Sequence, residues 1–249
     1  MTEEQLEHLI RASCAVINES SVYVIGSQSI LPWLRERAGK PPRAWPSVLT
    51  LSTEADIIPI SNSDHQSDLI EGSLGQDSLF EKTYGYYAQG VSLKTAEAPS
   101  DWVSRCYNLV NQNTWNTVGR CMHPVDLFIA KSCANREKDG PFLDAMIECG
   151  LVKERNVKHL LPKLDGVISA EKIHVVTQSI NARFRKIAAQ VEDGSTGQSP
   201  MGAMIDRLHE ILDCASEGEQ PASQEAPEYK PQGGETTSRS GTPPKRSAP

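Results

Sequence analysis

The chain has 249 residues, a formal net charge of −7 and a sequence pI of about 5.4. This acidic balance excludes a protein with a basic surface throughout, which is the usual footprint of non-specific nucleic-acid binding. The sequence has no run of the roughly 18 apolar residues that a membrane helix needs, and its first ten residues, MTEEQLEHLI, are unlike a secretory signal. We therefore expect a cytoplasmic protein without a membrane partner.

The six cysteines and six histidines are scattered along the chain. No two cysteines have C-x-x-C spacing, and no two histidines have the H-x-x-x-H spacing of metal ligands on a helix. This pattern disfavours a zinc site and favours reduced thiols packed as small apolar side chains.

The first 60 residues predict two helices and two strands. Apolar residues near the 3.6-residue period predict a helix over residues 2–18, and the β-branched run at 22–25 predicts a strand. After Gly26 and Ser27, helical spacing continues over residues 28–37, with Pro32 near the first turn. A Gly- and Pro-rich loop at 38–47 then leads to a second predicted strand over 48–60, with a local break around residues 52–53.

The remainder of the chain is predicted to be mostly helical. A short helix is expected at 67–72, and strands are expected within YGYYAQGVSL and VSRCYNLVN. Further helices are predicted from Pro124 or Val125 to Gly140, from Pro141 to about Cys149, over 169–191 as one helix or two, and over 201–215.

Strands early and helices late predict an α+β fold with α/β-like order, in which a small mixed sheet is flanked by helices. We divide the chain into a domain at residues 1–150, a helical segment at 151–216 and a tail at 217–249. The tail consists mainly of Gly, Ser, Pro, Gln, Glu and Thr, so it lacks the apolar surface needed for ordering and is predicted to be disordered. Such a tail suits the docking of a protein partner.

Two features of the opening region suggest a ligand site. Glu54 and Asp56 lie two residues apart in a predicted strand, so both carboxylates project from one face and can bind one or two divalent cations. Gly26 and Ser27 join a strand to a helix, where backbone N–H groups can hold a phosphate. The plain alternatives are that Ser27 is a helix N-cap and that the carboxylates lie on a solvated strand face.

The order of a Gly-Ser turn, a helix and a strand with the pattern EAD resembles the DNA polymerase beta-like nucleotidyltransferase superfamily. The resemblance implies that Gly26 and Ser27 hold the phosphates of a nucleoside triphosphate. It also implies that Glu54 and Asp56 bind Mg²⁺ or Mn²⁺ and act as catalytic residues. In that superfamily a nucleotidyl group passes to an acceptor hydroxyl.

A second stretch, DLFIAKSCANREKD at residues 126–139, resembles the helix motif of minimal nucleotidyltransferases related to bacterial abortive-infection toxins. The likeness covers roughly residues 22–151. It implies that Lys131 faces the same cleft as a catalytic and nucleotide-binding residue, followed by a cluster of Arg136, Lys138 and Asp139. Because Lys138 lies seven residues after Lys131, we expect both on nearly one face of a single helix, with Lys138 also binding nucleotide.

Plainer roles remain open for these residues. Lys131 could equally be a lysine whose stem packs on an apolar face and whose charged end reaches water. Arg136 and Lys138 could interact with the negative end of the helix dipole at its C-terminus. Asp139 is a candidate cap for the next helix, and Asp126 is expected to be a first-turn acid rather than a ligand.

The aromatic run of Tyr84, Tyr86 and Tyr87 is compatible with stacking on a nucleobase, but favours core or cross-strand packing. His65 and His123 are expected at the surface or as caps.

The sequence departs from the superfamily pattern at three points. The segment between Ser27 and Glu54 is long, the first carboxylate is Glu where Asp is commoner, and the later strand VSRCYNLVNQNT offers only Asn111 and Asn113 as a third ligand. The leading hypothesis is a nucleotidyltransferase whose acceptor is RNA, protein or a small molecule. The alternative is a catalytically inactive nucleotide-binding module in a toxin–antitoxin or phage-defence setting, and a weaker one is a structural domain without a nucleotide site.

Overall fold

The computed structural model describes residues 1–37 and 45–194, which form a mixed α+β structure. The described helices are α1 (Glu3–Ile17), α2 (Leu31–Arg37), α3 (Asp64–Leu74), α4 (Leu79–Tyr84), α5 (Pro124–Ala134), α6 (Gly140–Glu148), α7 (Glu154–Leu160) and α8 (Ala170–Gly194). The described strands are β1 (Ser21–Ile25), β2 (Glu54–Pro59), β3 (Tyr87–Gly90), β4 (Tyr107–Leu109) and β5 (Val118–Cys121). The predicted helix at 201–215 and the tail lie outside the described residues, as does most of the predicted loop at 38–47.

The five strands form one mixed sheet in the order β3-β2-β1-β5-β4, which confirms the predicted fold class. Strand β1 is antiparallel to β2 and parallel to β5, while β2 is parallel to β3 and β4 is antiparallel to β5. Because β2 runs back along β1, its first residues lie beside the end of β1, and Asp56 pairs with Ile25. The topology thus brings the Gly-Ser turn and the carboxylate pair to one end of the sheet.

Helix α1 packs on the sheet through residues at the predicted helical spacing. Leu6, Leu9 and Ile10 are fully buried, and burial of each such side chain stabilises the fold by about 1.5–3 kcal/mol. Thr2 and Gln5 form a capping box at the start of α1, and Asn18 ends it in a left-handed conformation. The helix therefore begins and ends where the sequence predicts.

The second predicted strand is shorter than expected. Residues Ser47–Leu49 form a 3-10 helix, and pairing begins only at Glu54. One neighbour, β1, ends at Ile25 opposite Asp56, and the other, β3, begins at Tyr87 opposite Glu54. Residues before Glu54 therefore have no strand beside them, so apolar character alone does not extend the strand.

The predicted helix from Pro124 to Gly140 also ends early. Helix α5 stops at Ala134, Asn135 adopts a φ of 48°, and the 3-10 helix Glu137–Asp139 follows. Asparagine tolerates this left-handed conformation better than most residues, which allows the reversal. Gly140 begins α6 instead of stopping the earlier helix. The expectation that Lys131 and Lys138 share a helical face is therefore wrong.

The start of α5 is held by a side-chain cap and by a charge network around one buried carboxylate. His123 caps the helix, its Nδ1 accepting from Val125 N at 3.1 Å, as the cap prediction allows. The fully buried Asp126 lies in the first turn and accepts from Arg105 Nε at 2.9 Å and from Arg105 Nη2 at 2.7 Å. Arg105 also pairs with Asp101, which in turn binds Lys163. Burial raises the pKa of Asp126, and Arg105 opposes the rise.

Beyond residue 150, helices α7 and α8 pack directly on α5, and α8 also packs on α6. Residues 169–191 belong to one long helix, whose Val176, Ile180 and Phe184 are buried and whose Phe184 ring lies 5.7 Å from that of Phe128. Residues Met1–Thr196 form one compact unit, so the described helices after residue 150 belong with the sheet. No helix in the described ranges combines the length and apolarity required to cross a membrane.

The sequence patterns miss α4, β5 and α7. Strand β5 has only four residues, VGRC, and its Gly and Arg conceal the alternation of a strand. The predicted strand regions YGYYAQGVSL and VSRCYNLVN are each reduced to a short strand, β3 and β4. The short helix predicted at 67–72 is longer than expected, since α3 is capped by Ser63 and reaches Leu74.

Candidate functional site

A cavity of about 450 Å³ opens where β1 ends and β2 begins. All six residues that the sequence proposes for the site line it, together with other members of the basic and acidic cluster: Gly26, Ser27, Glu54, Asp56, Lys131, Arg136, Lys138 and Asp139. These side chains come from two sequence regions about a hundred residues apart, and β1, β2 and α5 bring them together. The residues that carry the two resemblances thus line a single concave surface.

Gly26 lies against the carboxylate of Asp56. Its φ of 68° suits glycine, and a Cβ added there would clash with Asp56 Oδ2. Gly26, not Ser27, is the residue before the 3-10 helix Ser27–Ile30, and the Ser27 side chain makes no capping bond. The N-cap alternative for Ser27 is therefore wrong. Its hydroxyl makes no hydrogen bond with the part of the chain that the structure describes.

Glu54 and Asp56 are both half-buried on the sheet side of the cavity, so the fully solvated strand face of the alternative is not what the fold builds. The Tyr87 hydroxyl donates to Glu54 Oε2 at 3.1 Å. With the Gln89 amide oriented so that its nitrogen faces the acids, Nε2 donates to Glu54 Oε1 at 2.6 Å and to Asp56 Oδ1 at 3.3 Å. Strand β3 thus supplies neutral donors to both carboxylates.

Burial, and secondarily the adjacent Glu54 carboxylate, raise the pKa of Asp56 to about 6. Lys131, Arg136 and Lys138 act in the opposite direction but do not cancel this rise. Burial and Glu54 likewise raise the pKa of Tyr87 to about 12, so its phenol remains a donor at neutral pH. A cation bound between the two carboxylates would reduce the repulsion between their negative charges.

The opposite side of the cavity carries cationic groups from α5 and the turn after it. Lys131 Nζ donates to Asp139 Oδ1 at 2.7 Å and lies 4.9 Å from the centre of the Phe142 ring. Asp139 occupies the N-cap position of α6, as the cap alternative expects, but its side chain makes no capping bond and instead holds Lys131. Arg136 and Lys138 are exposed and form no ion pair with the described residues.

The expectation that the strand within VSRCYNLVNQNT lies close to the two acids, where it could offer a third ligand, was wrong. Asn111 and Asn113 lie just beyond β4, at the far edge of the sheet from β3, and donate from Nδ2 to Glu7 at 2.5 and 2.9 Å. The strand beside β2 is β3, in which Gln89 pairs with Asp56 and Tyr87 with Glu54. The alternation of Tyr87, Ala88 and Gln89 carries the signal that would have pointed there, since it mirrors Glu54, Ala55 and Asp56.

The sequence patterns also miss the apolar part of the cavity. Val48, Leu51, Ala96, Leu127 and Phe142 line it, and Leu51 keeps 70% of its surface exposed. Large apolar side chains facing an open cavity are suited to contact a planar ligand group. Tyr84 and Tyr86 lie elsewhere, in a cluster with His8 and Phe80, which favours the packing alternative for these two tyrosines.

In the described residues no group of three or more His, Cys, Asp or Glu side chains is placed to hold a metal ion. On the sheet side of the cavity, Glu54, Asp56 and the neutral Gln89 amide supply oxygen atoms, whereas the carboxylate of Asp139 is paired with Lys131.

Comparisons of the chain with models of known protein families, with curated proteins and with solved structures find no match.

Proposed function

We propose that this cavity binds a nucleoside triphosphate with a divalent cation, and that the chain is a nucleotidyltransferase. The observation that carries the proposal is the distribution of charge across the cavity. Glu54 and Asp56 face it from the sheet, while Lys131, Arg136 and Lys138 face it from α5 and the following turn. A metal-bound polyphosphate needs both, because its cation prefers carboxylate oxygens and its phosphates prefer cationic side chains.

The donor set fits Mg²⁺ or Mn²⁺. Glu54 and Asp56 would hold the ion, since hard divalent cations take carboxylate oxygens and two carboxylates balance the charge of one ion. When bound, such an ion neutralises phosphate charge and orients the phosphoryl group for attack.

The other residues act on the nucleotide. Gly26 has no side chain, so the turn at Ser27 can lie close to the phosphates while the Ser27 hydroxyl donates to them. Lys131, held by Asp139, and Lys138, which has no ion pair within the described residues, offset phosphate charge. Positioning and charge neutralisation would favour attack of an acceptor hydroxyl on the α-phosphorus. The acceptor is RNA, a protein or a small molecule.

A second candidate is nucleotide binding without turnover, as in a sensing or partner-binding module. Gln89 favours it, because the strand beside the two acids contributes a neutral amide in place of a further carboxylate. A phage-defence or toxin–antitoxin setting, with the tail docking a protein partner, belongs to this candidate.

The test is a thermal-unfolding titration with each nucleoside triphosphate, with and without Mg²⁺. Wild type, Asp56→Ala and a control at the exposed Asp68, Asp68→Ala, are compared. A ligand at about a hundred times its Kd adds roughly 2.7 kcal/mol of stability. We expect a Mg²⁺-dependent shift in wild type and the control that Asp56→Ala loses.

Absence of a shift with any nucleotide in wild type would contradict both candidates. Where binding occurs, release of pyrophosphate separates them. Pyrophosphate production that requires Asp56 supports the transferase, and binding without it in the presence of RNA, protein and small-molecule acceptors supports the sensing module.

A further inference from the structure

Gln89 occupies a special place in the register of the sheet. In the parallel pair of β2 and β3, Gln89 pairs with Asp56 and Tyr87 pairs with Glu54. Residues paired in this way project from the same face of the sheet. Gln89 is solvent-exposed, yet its amide reaches both acids. With the nitrogen toward the acids, Nε2 lies 2.6 Å from Glu54 Oε1 and 3.3 Å from Asp56 Oδ1.

The chemistry of an amide gives this contact two states. Its nitrogen carries two N–H donors, while its oxygen is an acceptor and a ligand for hard cations. With the nitrogen toward the acids, the N–H groups separate two like charges and satisfy one oxygen of each. A divalent cation held by the same acids would repel the N–H groups, whereas half a turn of the amide would present its oxygen.

We propose that Gln89 is a reversible ligand of the cation site and that it limits the site to one divalent ion. The inference rests on the proposed function, because it needs a cation at Glu54 and Asp56. Without the ion, the amide nitrogen holds the two acids together; with the ion, the amide oxygen completes its ligand set. Two carboxylates and a neutral amide balance the charge of a single divalent ion and leave none for a second.

Manganese binding tests this directly, because the electron paramagnetic resonance signal of free Mn²⁺ counts the bound ions. Gln89→Glu adds a third carboxylate, and Gln89→Met keeps the length of the side chain but removes its oxygen. Gln76→Glu is the matched control, since it adds the same charge at an exposed residue outside the cavity. Asp56→Asn removes one of the two acids.

We expect wild type and Gln76→Glu to bind one Mn²⁺ with equal affinity. Gln89→Glu should bind roughly tenfold tighter or take a second ion, and Gln89→Met should bind roughly tenfold more weakly. A second readout guards against a folding defect. Gln89→Glu should lower the Tm without metal, because three acids then repel one another, and Mn²⁺ should restore it.

Two results would overturn the inference, and they differ in what else they remove. If wild type binds Mn²⁺ through Asp56 while both Gln89 variants bind it identically, the cation site stands and the role of Gln89 falls. If wild type binds no Mn²⁺ and behaves like Asp56→Asn, the proposed cation site falls as well.

Discussion

Asp126 and Asp56 are two acids withdrawn from water in contrasting ways. Asp126 is fully buried, yet Arg105 donates to both of its oxygens and a wider network of opposite charges surrounds the pair. Asp56 is less buried, but its neighbours are a second carboxylate and a neutral amide. The charge of Asp126 is balanced by its neighbours within the chain, whereas Asp56 and Glu54 place two like charges side by side, which the proposed cation would neutralise.

This difference distinguishes a charge that holds elements of the fold together from a charge at a candidate site. A buried ion pair whose hydrogen bonds are satisfied holds elements together, and removal of either partner is costly. Two adjacent acids in an open cavity do not stabilise the fold, and a raised pKa at such a place marks a candidate site. If burial alone were used to find a candidate site, Asp126 would be chosen before Asp56.

The largest expected effect follows from breaking the Asp126 pair. Arg105→Met leaves a fully buried carboxylate without its partner, so the free energy of unfolding should fall by about 3–5 kcal/mol. Urea unfolding measures it. The control Lys158→Met breaks the exposed pair with Glu154 and should cost less than about 0.5 kcal/mol. Equal losses in the two variants would contradict the structural role of the Arg105 pair.

A smaller effect is expected at the turn that touches the carboxylates. Gly26→Ala should lower the free energy of unfolding by about 1–3 kcal/mol, because it combines a strained φ with a clash against Asp56. Gly85→Ala is a matched control, since Gly85 also has a positive φ but an added Cβ there meets no atom within 4 Å. If both variants lose the same stability, the contact between Gly26 and Asp56 is not tight.

The acid pair itself should have a stabilising replacement. The pKa of Asp56 in the folded protein, about 6, lies above the unfolded value of 3.8, so the folded state binds more protons between these values. Wild-type stability should therefore decline as the pH rises through this window. Without metal, Asp56→Asn should gain about 1–2 kcal/mol over wild type at pH 8, after allowance for solvent screening, and nothing at pH 3.5.

Urea unfolding in a metal chelator, at both pH values, measures this difference. The exposed control Asp68→Asn should follow wild type at each pH. A loss of stability in Asp56→Asn at pH 8 would show that the chain itself compensates the charge of the acid pair.

The smallest change in stability is expected on the cationic side. Lys138 is exposed and has no ion pair with the described residues, so Lys138→Gln should change the free energy of unfolding by less than about 0.5 kcal/mol. The affinity of this variant for a nucleoside triphosphate should nevertheless be several-fold lower than that of wild type at low salt, and the difference should be smaller at high salt. Isothermal titration measures the affinity, and Lys82→Gln, at an exposed lysine outside the cavity, is the control. Equal affinities in the two variants would remove Lys138 from the binding site.

Local patterns predicted the elements whose partners lie nearby in sequence. Helix α1 carries its own caps and apolar spacing, so its bounds follow from residues 2–18 alone. Strand β2 shows the limit of this reasoning, because its start at Glu54 depends on where the neighbouring strand β3 begins. The chain reversal at Asn135 is also not predictable from local sequence, since asparagine permits a left-handed conformation without requiring it.

The candidate site was predicted in part for a related reason. Glu54, Asp56 and the Gly-Ser turn lie on elements with recognisable patterns, and the structure brings them to one cavity with Lys131 and Lys138. Gln89 was missed because its importance depends on which strand lies beside β2. Strand order is a long-range property, and no local period of the sequence encodes it.

The central position of β1 has a consequence for hydrogen exchange. This strand is bonded on both sides, to β2 and to β5, so its amides exchange only when the sheet itself opens. The 3-10 helix Glu137–Asp139, by contrast, spans three residues, two of them exposed, and can open locally. We therefore expect slow exchange in the sheet around Asp56, which pairs with Ile25 of β1, and faster exchange around Lys138. Ligand-induced protection that appears only in the turn would mark it as the part that adjusts to the ligand.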